Sequence, residues 1–165
     1  MNIRKIIKKI ILELFDEPKL PLDLKQHNRG ADFIYSFSTI DYDYCIPFKK
    51  TNASNFKEIA LTNNEDMNGV IKKSNSVYFV HWGVCDPEGN PYDDMLTNNK
   101  EEVYVFNSVF AIIKKFIEDY NPDIIFYEAM GSRKNIYKGV FEKFKLDYKH
   151  LEGTQNSFLI KKSIL

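Results

Sequence analysis

Hydrophobic positions along this chain follow two spacings, one typical of helices and the other of strands. Near the N-terminus, aliphatic residues recur at every third or fourth position: Ile3, Ile6, Ile7, Ile10, Ile11 and Leu14. Charged residues, mostly lysines, fill positions between them, so residues 1–16 predict an amphipathic helix that stops before Pro18. We expect this helix to dock on the domain core or on a partner.

The pattern changes to short strands after residue 32. Residues 17–32 hold two prolines and little periodicity, which predicts an irregular connector. Residues 33–37 and 42–48 are rich in aromatic and β-branched side chains, which favours strands. Because Pro47 has no backbone N–H to donate, we expect its strand to lie at a sheet edge or to end there.

Residues 51–76 are polar and weakly patterned, which indicates a loop or a short helix. The alternation of large apolar residues then predicts a strand over 77–84. An acidic loop follows, and the next strand is predicted over 103–106.

The last third of the chain has the clearest order of elements. Ser108 can cap a helix that ends at Asn121 and Pro122, and the apolar run 123–127 predicts a strand buried on both faces. Ser132 caps the next predicted helix, and strands follow at 148–151 and 157–160. A strand, helix, strand connection within one sheet is parallel and right-handed, whereas the shorter early links favour antiparallel pairing.

The predicted fold class is therefore a mixed α/β or α+β structure, with a mostly antiparallel sheet, packed helices and the additional N-terminal helix. Residues 33–165 are predicted to form a single domain.

Composition excludes several classes of protein. Hydrophobic residues make up 44% of the chain and aromatic residues 15%, which excludes a disordered chain. The formal net charge of zero gives no whole-molecule case for nucleic acid binding. No stretch approaches the roughly 20 apolar residues that span a membrane, and the N-terminus lacks the apolar core of a signal peptide. These observations predict a cytoplasmic location.

The two cysteines, Cys45 and Cys85, are far apart in sequence and show neither a disulfide framework nor zinc-ligand spacing. We expect reduced thiols in the core. The three histidines are equally scattered, so no metal site is predicted. Asp41 and Asp43 bracket one strand residue and are expected to form a solvent-facing pair.

Local charge is uneven, because basic residues crowd the C-terminal helix region. A solvated surface explains them, and the alternative is a basic face for an acidic partner. The candidate partner-binding residues are Arg133, Lys134, Lys138 and Lys145.

Two residues are candidates for acid–base chemistry. Glu128 follows the buried strand, where a general base can be placed, although a surface carboxylate explains it equally well. Tyr137 lies on the core-facing stripe of the last helix, where its phenol could donate a proton to a leaving thiolate. The alternative for Tyr137 is an ordinary core aromatic residue.

The order of elements over 103–160, with the run 132–137 followed by Phe141 and Phe144, resembles the second half of the GNAT acyltransferase fold. The resemblance implies acetyl-coenzyme A as cofactor, Tyr137 as general acid and Glu128 as base. It places the pyrophosphate-binding turn at 106–109, with these candidate cofactor-binding residues: Asn107, Ser108, Val109 and Phe110. The family's turn carries glycines, and this segment has none.

The chain also resembles small uncharacterised proteins of tailed bacteriophages, through residues 35–39, 41–46, 105–109 and 132–133. That resemblance implies a viral gene product, located in the host-cell cytoplasm or incorporated in a virion.

The leading hypothesis is a phage-encoded, non-catalytic GNAT-like protein without a cofactor. It would bind another protein of the virion or the host, as a virion-associated or head-associated component. The alternative is an acetyl-coenzyme A-dependent N-acyltransferase, and nucleic acid binding through the basic residues ranks last.

Overall fold

The computed structural model describes residues 18–52, 65–92, 102–128, 133–153 and 156–165. The predicted helix over 1–16 and the Ser132 cap lie outside these ranges. The chain divides into two compact units. The first unit comprises residues 1–47 and 82–120, and the second comprises residues 48–81 and 121–165.

Nine strands and three α-helices lie in the described ranges. The strands are β1 (Lys25–Arg29), β2 (Asp32–Ser38), β3 (Asp43–Thr51), β4 (Val77–Val80), β5 (Gly83–Cys85), β6 (Pro91–Tyr92), β7 (Ile124–Glu128), β8 (Tyr148–Glu152) and β9 (Asn156–Lys161). The helices are α1 (Glu65–Lys73), α2 (Glu102–Tyr120) and α3 (Arg133–Lys143), and a 3-10 turn, Lys162–Ile164, follows β9.

The first unit is built on antiparallel strands. β1 and β2 form a hairpin whose turn contains Gly30 at a φ of 64°, a backbone conformation that glycine adopts without steric cost. β2 neighbours the first half of β3, and β5 pairs antiparallel with β3 through two residue pairs, Tyr44 with Val84 and Cys45 with Gly83. β6 pairs with β5.

Helix α2 packs on one face of these strands. Alternate residues of β2 meet it: the ring centroids of Phe33 and Phe116 are 5.4 Å apart, and those of Phe37 and Tyr104 are 6.1 Å apart. Gln26 on β1 also donates a hydrogen bond to the Tyr120 hydroxyl at 2.8 Å. Because strand side chains alternate between faces, the other face of β2 carries Ile34, Ser36 and Ser38.

The expectation of reduced cysteines is wrong, because Cys45 and Cys85 form a disulfide with a Cα–Cα distance of 5.2 Å. The pairing of β3 with β5 places the two residues on adjacent strands, within the distance that a disulfide bridges. Forty residues separate them in the sequence, so their spacing gave no sign of this contact.

The second unit has the strand order β3-β4-β7-β9-β8. β4 and β7 are parallel, from Val77 opposite Ile124 to Val80 opposite Tyr127, whereas β3 with β4, β7 with β9 and β8 with β9 are antiparallel. β9 lies between β7 and β8 because the last hairpin folds back onto β7. The predicted fold class, mixed with mostly antiparallel pairing, is confirmed.

Both faces of β7 are covered, as the apolar run predicted. Ile124 and Phe126 belong to a buried cluster with Val70 and Ile71 of α1. On the opposite face, the Tyr127 ring lies 5.4 Å from that of Tyr137 on α3. The start of β7 is fixed by Asp123, whose carboxylate accepts hydrogen bonds from the backbone N–H groups of residues 75 and 76 at 2.7 and 3.1 Å.

Three expectations about elements are corrected. The predicted strand at 103–106 is the start of α2, because Val105 and Phe106 continue the buried stripe of Val109 and Phe110 at helical spacing. The predicted connector contains β1, whose five residues are polar and exposed, so apolar alternation did not mark it. Pro47 lies inside β3, between the stretch paired with β5 and the stretch paired with β4, and β3 is neither an edge strand nor ended by it.

The remaining predicted elements are confirmed. The strands near 33–37, 123–127, 148–151 and 157–160 are present, and so are the helix that ends at residue 120 and the helix after residue 132. The polar segment 51–76 contains α1, and the strand predicted over 77–84 corresponds to β4 and β5.

Replacing Phe126 by alanine will lower the free energy of unfolding by about 3–5 kcal/mol, because the side chain is fully buried and its removal leaves a cavity. Chemical denaturation followed by circular dichroism measures the change. Lys149→Ala, at an exposed position of β8, serves as the control and will change the value by less than about 0.5 kcal/mol. Equal effects of the two substitutions would contradict the packing of β7.

Candidate functional site: an exposed apolar patch beside a polar cleft

The two predicted catalytic residues occupy different surroundings. Tyr137 is 2% exposed and packs edge-on against Tyr127, as a core aromatic residue does. Glu128 is exposed at the end of β7, opposite Asn156 of β9. A buried phenol is poorly placed to meet a substrate, so the core interpretation of Tyr137 agrees better with its position.

The predicted cofactor-binding residues, Asn107, Ser108, Val109 and Phe110, lie inside α2 rather than in a turn. Backbone N–H groups beyond the first turn of a helix donate to carbonyls of the same helix, and so they are not free to hold a phosphate. Ser108, Val109 and Phe110 are also buried. The segment is therefore helical where a turn was expected, and its role in cofactor binding stays a prediction.

The predicted partner-binding residues lie on and just after α3. Lys138 and Lys145 are exposed, and Lys145 has a φ of 49° in the bend that follows the helix. Arg133 and Lys134 begin α3, and their side chains lie outside the described part. The role of these four residues stays a prediction.

One buried polar contact in the second unit involves a histidine. The Tyr127 hydroxyl and His150 Nε2 share a hydrogen bond of 2.8 Å between β7 and β8. Phe141 stacks on the His150 ring with the centroids 6.2 Å apart. Burial lowers the pKa of His150, Glu152 and Glu142 oppose this shift, and Lys138 adds to it.

Two large aliphatic side chains in the first unit are fully exposed. The relative accessibilities of Leu22 and Ile40 are 106% and 97%, and Tyr42 beside Ile40 is partly exposed at 37%. We call Leu22, Ile40 and Tyr42 the turn patch. Leu22 and Ile40 are each the second residue of a four-residue turn, a position at which glycine, proline and small polar residues are more usual.

Hydrogen bonds hold both turns of the patch. Leu24 N–H donates to the Pro21 carbonyl at 3.3 Å, which closes the turn around Leu22. In the turn between β2 and β3, Thr39 N–H donates to the Tyr42 carbonyl at 2.7 Å, and Tyr42 N–H donates to Thr39 Oγ1 at 3.1 Å. The exposure of Leu22 and Ile40 is therefore a property of two closed turns.

Asp23 joins the two turns to each other. Its carboxylate accepts a hydrogen bond from Ser38 N–H at 2.8 Å, at the end of β2. Ser38 Oγ in turn donates to Asp43 Oδ1 at 2.6 Å. Leu22 directly precedes Asp23, and Ile40 lies two residues after Ser38. The hydrogen bonds among Asp23, Ser38 and Asp43 therefore keep Leu22 and Ile40 at the same end of the unit.

A polar cleft of about 170 Å³ lies beside the turn patch, and its lining includes Asp23, Ser38 and Asp43, whose hydrogen bonds join the two turns. The lining residues are Asp23, Lys25, His27, Ser36, Phe37, Ser38, Asp43, Cys45, Cys85 and Gly89. The cleft therefore has the disulfide in its wall, with two carboxylates, an ammonium group and an imidazole around it.

Sequence reasoning missed both features. It placed Leu22 and Lys25 in a connector, and it interpreted Ile40 only as a residue between two strands. The available signal was the presence of bulky aliphatic residues inside turn sequences, next to Pro21 and Asp41. Asp41 and Asp43 are both exposed, in agreement with the solvent-facing pair that was predicted.

The pKa of His150 predicts how stability depends on pH. An unfolded chain binds a proton at this residue near the ordinary pKa of 6.5, whereas the folded chain does so only at lower pH. Unfolding therefore takes up a proton in this window, and the free energy of unfolding will fall as the pH drops below about 6.5. Denaturant titrations between pH 7 and pH 5 measure the slope.

Two variants separate His150 from the other groups. His150→Gln will flatten the slope, and Asn28→Gln, at an exposed position without a titratable side chain, will leave it unchanged. A slope that survives His150→Gln would assign the proton uptake to another group.

Within the described ranges, no helix is long and apolar enough to cross a membrane, and no group of three or more His, Cys, Asp or Glu side chains is placed to hold a metal ion. Comparisons with known proteins found no matching family model, no matching curated protein and no matching solved structure.

Proposed function

We propose that this protein acts by binding another protein and that the turn patch is the contact surface. The observation that carries the proposal is the full exposure of Leu22 and Ile40 on turns closed by hydrogen bonds. Scattered exposed apolar residues are normal in soluble proteins. Here, two of them project from turns that Asp23 and Ser38 hold together, which is less readily explained by chance.

Burial of Leu22 and Ile40 by a partner would contribute free energy of binding. Moving a leucine or isoleucine side chain from water into an apolar pocket contributes about 1.5–3 kcal/mol. Because the turns are already ordered, a partner would not have to offset the entropy of fixing them. Burial of both side chains can therefore supply part of the binding free energy of an interface.

The charge around the turn patch indicates what the partner surface contains. Asp23, Asp41 and Asp43 are exposed in or next to the two turns. A protein surface with an apolar pocket and Lys or Arg at its rim would complement this arrangement, since rim charges steer association and select partners.

This proposal keeps the core of the leading sequence hypothesis, which was binding rather than catalysis, and moves the contact surface to the first unit. The acyltransferase alternative loses support, because residues 107–110 are helical and Tyr137 is buried. A phage origin, a place in a virion and a GNAT-like ancestry rest on the sequence resemblances alone.

A photo-crosslinking amino acid at position 40, introduced in cells that naturally carry this gene, tests the proposal. We expect one discrete protein adduct, identified by mass spectrometry, because a specific partner covers Ile40. The same crosslinker at Asn28, which is exposed on β1, will not give this adduct. Identical adducts at the two positions would reject the turn patch as the contact.

Two matched substitutions measure how much Leu22 contributes to the binding affinity. Leu22→Asp will weaken binding of the identified partner at least tenfold, which is about 1.4 kcal/mol, because an anchor side chain is replaced by a charge. Its effect on folding stability will be within about 0.5 kcal/mol, since Leu22 is fully exposed. Leu165→Asp changes an exposed leucine of the second unit in the same way and will leave the affinity unchanged. Equal losses from both variants would contradict the assignment.

A further inference from the structure

The two cysteines of the disulfide in the first unit differ in exposure. Cys45, near the start of β3, is 2% exposed, whereas Cys85 at the end of β5 is partly exposed. Both residues line the polar cleft. Of the two cysteines that line the cleft, Cys85 is therefore the more exposed to a dissolved thiol.

The strand that carries Cys85 has few backbone pairs, and Val84 at its centre is buried. β5 is three residues long and makes two residue pairs with β3, and β6 makes two residue pairs with β5. The turn between β5 and β6 is ordered by Asp86, whose Oδ1 accepts from the N–H groups of Glu88 and Asn90 at 3.0 and 2.7 Å. These bonds lie within the segment and do not attach it to β3.

One further contact reaches this segment from β1, where Arg29 donates to the Glu88 carbonyl at 3.5 Å, the limit of hydrogen-bond length. The disulfide is accordingly the strongest described link between β3 and the segment 83–92.

The cleft also holds charged groups that bear on sulfur chemistry. Lys25 supplies a positive charge that favours a thiolate, and His27 supplies an imidazole that can exchange a proton. The carboxylates of Asp23 and Asp43 act in the opposite direction. An anionic thiol reagent is therefore attracted by Lys25 and repelled by Asp23 and Asp43. The effect of a Lys25 substitution on the reaction rate measures the attractive part.

We propose that Cys85 is a thiol-exchange site and that dithiols or glutathione-class thiols are its reactants. A donor thiolate attacks Cys85 Sγ, a new sulfur–sulfur bond forms, and the bond to Cys45 breaks. Cys45 leaves with the electron pair and takes a proton from water. With a dithiol, its second thiolate attacks the donor sulfur, releases the Cys85 thiolate and closes the donor into a disulfide, so the protein gains the two electrons that the donor loses.

Reduction would then release the segment 83–92 from β3. The released segment contributes Cys85 and Gly89 to the wall of the polar cleft. Its release does not depend on the function proposed for the turn patch.

Reduction of the native protein is the first test. Dithiothreitol at pH 7.5, without denaturant, will expose two thiols per chain, counted by mass after alkylation. Hydrogen exchange measured by mass spectrometry will then increase at 83–92 and stay unchanged over β7 and β9. The proposal is overturned if the disulfide is reduced only when urea unfolds the chain, or if exchange at 83–92 does not change.

The selectivity between the sulfurs is the second test, with glutathione disulfide as the reagent. In Cys45→Ser, the free Cys85 thiol will form a mixed disulfide at least ten times faster than the free Cys45 thiol in Cys85→Ser. Lys25→Glu, added to Cys45→Ser, will slow that reaction, and Lys49→Glu, at an exposed lysine of β3, serves as the charge control. Equal rates for the two cysteines would reject Cys85 as the exchange site, and the wild-type reduction remains decisive if either variant fails to fold.

Discussion

The second unit depends on the burial of alternate side chains on the two faces of β7. Ile124 and Phe126 face α1, and Tyr127 faces α3, so a single strand of five residues fixes a helix on each side. The same strand pairs parallel with β4 and antiparallel with β9, which sets the order of its neighbours. A five-residue strand with this role tolerates few polar substitutions, because both of its faces lie in the core.

The first unit follows the same alternation with a different result. One face of β2 packs against α2 through Phe33 and Phe37, and the other face carries Ser36 and Ser38 into the polar cleft. The exposed features of the unit are attached to this second face and to the turns at the strand ends. A sheet that is covered on one face leaves backbone turns and small polar side chains available for contacts with other molecules.

Polar groups in the two units are stabilised by different means. In the second unit, the Tyr127 hydroxyl and His150 Nε2 share a hydrogen bond within an aromatic environment, and burial lowers the pKa of the histidine. In the first unit, Asp23, Ser38 and Asp43 are exposed, and their hydrogen bonds serve to orient two turns. The contact between Tyr127 and His150 makes the free energy of unfolding depend on pH. The hydrogen bonds of Asp23, Ser38 and Asp43 hold the turns that place Leu22 and Ile40 in solvent.

Most of the elements can be predicted from the amino-acid sequence, because hydrophobic spacing reports which faces are buried. The apolar run of β7, the stripe of α2 after Ser108 and the final pair of strands were all predictable from it. It did not reveal β1, since all five residues of that strand are exposed and only backbone pairing with β2 makes it a strand. It also misread residues 103–106, where strand-forming residue types lie on a helical stripe.

Contacts between residues that are distant in the sequence became visible only in the folded chain. The disulfide between Cys45 and Cys85 follows from strand pairing across forty residues, and the polar cleft draws on β1, β2, β3 and β5 together. The turn patch depends on a hydrogen bond between Asp23 and Ser38, fifteen residues apart. Local periodicity carries no information about such contacts, because they are set by how strands pair and not by the spacing within any one of them.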